Sequence, residues 1–171
     1  MSNLLRIALL AAVCVGFSSS LPCAGQIAAT PDLSGTWVLN LQKSKMPKSM
    51  TIESEKVVVV RMGSIVEFHF TTNGKRAKTY TYSVDGKEHF LSEMVSSPNH
   101  FRDYYKAKWQ GTALVVTHRM SVEVTPIPIY AATDEDGFTE RWSLSPERRS
   151  LTRTFTGREA ALNSLTVYDK Q

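Results

Sequence analysis

The stretch IVEFHFTTNGKRAKTYTYSV, residues 65–84, decides the fold. At its start Val66, Phe68 and Phe70 alternate with Glu67 and His69. At its end Tyr80, Tyr82 and Val84 alternate with Thr79, Thr81 and Ser83. An extended strand turns successive side chains to opposite faces, so each part sets an aromatic face on a core and a polar face in water. Residues 72–77 between them predict a connection. Two half-buried strands in succession make an antiparallel hairpin, not a segment of parallel sheet.

The same period spreads outward in both directions. In 105–109 Tyr105, Ala107 and Trp109 oppose Lys106 and Lys108. In 138–144 Phe138, Trp142 and Leu144 fall together, and in 151–155 Leu151 and Phe155 do. Asp85–Gly86 and Gln110–Gly111 suit tight hairpin turns, because Gly readily takes positive φ, and 145–149 suits a longer one. Helical spacing is almost absent. Strands are expected near 34–41, 50–54, 56–61, 64–71, 78–84, 87–91, 102–109, 112–120, 137–144, 150–156 and 163–169. One short early piece merges with its neighbour, which leaves about ten. The prediction is all-β, a single antiparallel up-and-down meander β-barrel of about eight to ten strands.

In a strict meander, successive connections fall at alternating ends. The connections at 72–77, 92–101, 120–137 and 157–162 then share one end, and the tight turns share the other. That profile is a cup with a mouth. Met94, Val95 and Phe101 in 92–101, and Ile127, Ile129 and Tyr130 in 120–137, make an apolar lid, a rim cluster or a Pro-broken edge strand.

Residues 1–25 read as a secretory signal. Arg6 opens it, Ile7–Phe17 is an apolar run too short to span a bilayer, and Cys23 and Gly25 are small residues ahead of a cut near Gly25. Ser20 and Pro22 depart from the pattern that would attach lipid at Cys23. The expected organisation is a leader over 1–25, a short linker over 26–32 and a barrel over 33–171. The product is exported, to the periplasm or the medium, with no integral membrane segment in the mature chain. Both cysteines leave with the leader, which excludes a thiol nucleophile and a cysteine zinc site. Losing one Arg takes the formal charge from +4 to +3. That charge is dispersed, so no nucleic-acid partner is expected. Oligomeric state is open.

DLSGTWVLN at 32–40 carries a G-x-W, Gly35 and Trp37, in the first strand. This resembles the lipocalin and wider calycin pattern, in which that Trp plugs the closed end of the barrel. The chain also looks like uncharacterised lipocalin-like secreted domains of soil bacteria. The shared features are DLSGTW, DGKE at 85–88, AKWQGTALVVT at 107–117, WSLSP at 142–146 and LTVYDK at 165–170. A T-D-Y motif of lipocalins proper is missing, so the likeness is to the wider pattern. It implies a structural role for Gly35, Trp37 and Trp142, with an inward Arg153 stacking on Trp142 or Trp37.

Polar residues also fall on inward phases: Asp103 with Tyr105, His118 with Val116, Glu140 with Trp142, and Arg153 with Leu151. A turn at 110–111 would pair Ala107 with Leu114 and set Asp103 across from His118. Such groups anchor a ligand, with Arg153 holding an anionic head group or His118 and tyrosines a polar one, or else they lie solvated at the rim. His69, His89, His100 and His118 have no ligand spacing, so neither metal nor cofactor is expected. No catalytic residue is assigned.

Three functions stay open. The preferred one is non-catalytic binding or carriage of a small, largely apolar ligand. Its wall would be Val66, Phe68, Phe70, Tyr80, Tyr82 and Tyr105, and its anchors His118, Glu140 and Arg153. The second is a structural or protein-interaction barrel with a filled interior. The third is a small barrel enzyme using His118 with a carboxylate.

Overall fold

A computed structural model describes residues 30–96, 99–124 and 137–171. The expected leader over 1–25, most of the expected linker, and Ile127, Ile129 and Tyr130 lie outside the described residues. Ten strands follow in chain order: β1 (Gly35–Leu39), β2 (Glu55–Met62), β3 (Ile65–Thr72), β4 (Lys75–Ser83), β5 (Glu88–Ser96), β6 (Asn99–Gln110), β7 (Ala113–Val124), β8 (Thr139–Leu144), β9 (Ser150–Thr156) and β10 (Ser164–Lys170). A short 3-10 turn, Ala160–Leu162, precedes β10. Among the described residues no helix is long and apolar enough to cross a membrane.

All ten strands form one antiparallel sheet in the order β4-β3-β2-β1-β10-β9-β8-β7-β6-β5. Every strand pairs with its chain neighbour except across β4 and β5, and β1 pairs with β10 to bring the two ends of the chain together. The sheet is a meander curled into a barrel with one seam, between β4 and β5. Phe68 of β3 and Trp142 of β8 meet across the interior with ring centroids 4.4 Å apart. At the lower end of the seam the Ser83 N–H donates to the Tyr105 hydroxyl at 3.0 Å, and Gly86 N–H donates to the Ala107 carbonyl at 2.9 Å. These bonds occupy backbone groups that a paired strand would otherwise take.

The turns locate the register. Thr72 pairs with Lys75, so the connection expected over 72–77 is only Asn73–Gly74, with φ of 49° and 74°. Both central residues are left-handed, as a tight primed turn requires, which lets β3 and β4 run longer than their apolar pattern. Asn73 Oδ1 also accepts from the Glu53 and Ser54 N–H groups, so the turn holds residues 53–54 as loop and not as the short strand expected over 50–54. Ser96 pairs with Asn99, so 92–101 is a hairpin and not a loop. Gln110 pairs with Ala113, which makes the turn Gly111–Thr112, one residue later than expected. Gly111, at φ 60°, takes the first central place, so Ala107 pairs with Val116 and Tyr105 with His118.

The lower end carries the turns at 63–64, 84–87, 111–112 and 145–149. The upper end carries 40–54, the turn Asn73–Gly74 and 157–163. A sealed core fills the lower half: Leu33, Trp37, Val57, Val59, Leu114 and Leu151 are buried there, with Phe68 and Trp142 level with their register partners Val59 and Leu114. Trp37 donates its indole N–H to the Leu33 carbonyl at 3.0 Å, which satisfies its one polar atom inside the plug. The cation over Trp37 is Lys170, its β10 register partner, at 5.6 Å.

Candidate functional site

Above the core the interior turns polar. Leu144 pairs with Leu151, as the 145–149 turn leads one to expect, and this sets Trp142 opposite Arg153. The Arg153 guanidinium lies 5.2 Å from the Trp142 ring centroid and 5.6 Å from that of Phe70. Its Nη2 donates to Glu140 Oε1 at 2.6 Å, and the Trp142 indole N–H donates to Glu140 Oε2 at 3.1 Å. Burial by itself disfavours the charged guanidinium. The Glu140 carboxylate outweighs it and holds the pKa of Arg153 above its ordinary value. Arg153 and Glu140 are thus paired, as a buried ion must be.

A second polar group adjoins the first. The Tyr168 hydroxyl donates to Glu55 Oε1 at 2.6 Å, and Thr72 donates to Glu55 Oε2 at 2.9 Å. Burial and then the Glu55 carboxylate hold the Tyr168 phenol above its usual pKa. Glu55 precedes Val57 and Val59 in inward phase, a signal present in the sequence. For Tyr168 there was none: in SLTVYDK both phases carry apolar residues, so alternation does not name the inner face.

On the opposite wall the buried His118 stacks on Phe138 at 4.1 Å, and Phe138 on Phe155 at 4.7 Å. His118 Nε2 lies 3.5 Å from the Tyr82 hydroxyl. Its Nδ1 lies 3.5 Å from Asp103 Oδ1 and makes no hydrogen bond. Asp103 reaches His118 diagonally, since its register partner is Met120. Gly137 presses on the His118 backbone carbonyl, and a side chain at 137 would collide with it. The order Asp103–His118–Tyr82 has the outline of a proton relay. Its contacts are longer than catalytic hydrogen bonds, and burial holds the Tyr82 phenol protonated.

The wall residues expected from sequence divide into two sets. Val66, Phe68 and Tyr82 are sealed in the core, and Phe70 and Tyr105 nearly so. Tyr80 stays half-buried, stacked 6.0 Å from Tyr82 and capped by Lys78 at 4.6 Å. Of the anchors, His118 and Glu140 are buried, while the Arg153 side chain keeps 22% of its exposure. Asp103 keeps 25%. Both point into the barrel, so the upper interior is open to solvent. A depression of about 310 Å³ lies at this end, lined in part by Phe138, Phe155 and Leu162. One of about 370 Å³ lies at the lower end among turn residues such as Pro146 and Arg148, away from the inward polar groups.

The mouth has one tall wall. β6 and β7 run 12 residues each, against 6 for β8. Met94 sits opposite Phe101, and Met120 opposite Asp103, on the upper part of that wall. These methionines are 60% and 41% exposed. Exposed unbranched thioethers make an adaptable apolar surface. Among the described residues no group of His, Cys, Asp and Glu is placed to hold a metal ion.

The fold is all-β, an antiparallel up-and-down meander. Among solved structures the chain is similar to fatty-acid-binding protein 1 of Echinococcus granulosus. The identity is 12%, over 80% of this chain and 96% of that one, with a TM-score of 0.48. It is also similar to secretory abundant heat soluble protein 4 from Ramazzottius varieornatus. There the identity is 11%, over 83% of this chain and 97% of that one, with a TM-score of 0.49. No protein-family model and no curated protein matches the chain. Likeness at this identity concerns shape, and no residue role is carried across from it.

Proposed function

We propose that this chain binds a small, largely apolar molecule in the upper half of its barrel, without catalysis. One observation carries the reading. Arg153 and Asp103 point into the barrel and are still 22% and 25% exposed, so the space above the core is not filled by the described side chains. Tyr80, Phe138 and Phe155 flank that space, and Met94 and Met120 extend its wall. Covering these surfaces with a ligand's apolar body supplies the driving force, about 25 cal/mol per Å². The leader-like residues 1–25 favour a place of action in the cell envelope or outside the cell.

Native mass spectrometry of protein purified from its own host tests this. A retained mass of amphiphile size is expected. A preparation that is wholly ligand-free, and that takes up no apolar dye, would favour the structural or interaction module.

A further inference from the structure

We infer that the head group this cup accepts is a hydrogen-bond donor without negative charge, an amine or a hydroxyl. This rests on the binding reading above and names its ligand class.

The inward arginine looks like an anion receptor until its partners are counted. Its Nη2 is held by Glu140 at 2.6 Å, and its faces lie against Phe70 and Trp142. Its Nε is sealed away from solvent. A ligand carboxylate would have to displace Glu140, which also accepts the Trp142 indole N–H at 3.1 Å. Glu55 adds a further carboxyl group to the same side of the cavity, saturated by Tyr168 and Thr72. An incoming carboxylate thus meets Glu140 and Glu55 around one neutralised guanidinium, and like charges at short range in a poorly hydrated site repel. Lys78 over Tyr80 is exposed, and water and salt screen it.

Asp103 is in the opposite condition. Its carboxyl group is partly exposed at the mouth, and its contact inside the barrel is the long one to His118. Behind it stands His118, whose buried Nδ1 faces it at 3.5 Å without bonding. The acceptor within reach of a ligand is therefore the Asp103 carboxyl group, while the guanidinium already sits in an ion pair with Glu140. A hydroxyl or ammonium group donates to Asp103, and its chain lies along Phe101, Met120 and Met94.

The experiment is a calorimetric titration of the intact protein near neutral pH with dodecylamine, dodecanol and dodecanoate. The amine and the alcohol are expected to bind about tenfold or more tighter than the carboxylate. Asp103→Asn, at a partly exposed position, should weaken the amine by about tenfold while leaving the alcohol within about threefold. Glu140→Gln frees Arg153 and should move the preference toward dodecanoate. Tightest binding of dodecanoate to the unmodified protein, or an Asp103→Asn variant with unchanged amine affinity, overturns the inference and leaves the binding reading standing. If none of the three binds, the binding reading itself fails.

Discussion

The two halves of this barrel are built on different terms. In the lower half Trp37, Val57, Leu114 and Leu151 are sealed, and every polar atom named there has a partner. In the upper half Arg153 and Asp103 face inward yet meet solvent, His118 Nδ1 is unbonded, and Met94 and Met120 stand bare. A small domain needs one filled core, and the lower half supplies it. The upper half can then keep unsatisfied and exposed groups at little cost to folding, and such groups are the ones that recognise a ligand.

The sharpest way to break this contrast is Trp142→Ala. Trp142 is buried against Phe68 at 4.4 Å and supports both Glu140 and Arg153. Urea denaturation should show a loss of about 3–5 kcal/mol. A loss under about 1 kcal/mol would mean that the lower core does not carry the fold.

Tyr168→Phe comes next. It removes the 2.6 Å hydrogen bond to Glu55 and leaves that carboxylate short of a donor. The expected cost is about 1–3 kcal/mol by the same measurement. The double change Met94→Ser with Met120→Ser should move stability by no more than about 0.5 kcal/mol, because both side chains lie exposed outside the sealed core. Its effect belongs to binding: apolar dye affinity should fall several-fold, and an unchanged affinity would remove the tall wall from the site.

The smallest effect is acid sensitivity at the surface. Hydrogen bonds from Asn40 and Lys43 lower the pKa of Asp169, and one from Arg119 lowers that of Glu88. Bonds from Ser34 and His89 do the same for Asp32 and Asp85. A carboxylate lowered in the folded state stabilises fully above its unfolded value and stops doing so as pH falls through the folded one. The thermal midpoint should therefore hold down to the ordinary values of 3.8 for Asp and 4.5 for Glu, then decline below them. These groups are exposed, so the decline from them is gradual, and Lys43→Ala should make it only slightly shallower.

Much of the fold was legible because alternation is a local property. Val66–Phe68–Phe70 and Tyr80–Tyr82 report an inner face from their own order, and the Leu144–Leu151 pairing follows from one turn. Loop lengths were less legible. Asn73–Gly74 closes a hairpin whose upper strand ends, Thr71–Thr72 and Lys75–Arg76, are polar and look like loop, because strands that rise past a core have no apolar face to display. The turn at Gly111–Thr112 shows how one residue changes every pairing beyond it. Glu140 and Arg153 were visible as polar breaks in an apolar phase. That they neutralise each other was not, because a pattern gives direction and not distance.

By itself the sequence determined an all-β meander, its inward aromatic faces and the placement of Trp142 against Arg153. These follow from period two and from short turns, which act over a few residues. Only the tertiary structure decided that Lys170 covers Trp37, that Tyr168 donates to Glu55 inside the barrel, and that Arg153 pairs tightly with Glu140 while Asp103 meets His118 only at 3.5 Å. Glu55 and Tyr168 lie 113 residues apart in the chain, and β1 and β10 come together only when the sheet curls. Charge pairing inside a barrel depends on which strands the closure brings face to face, and no local pattern records that.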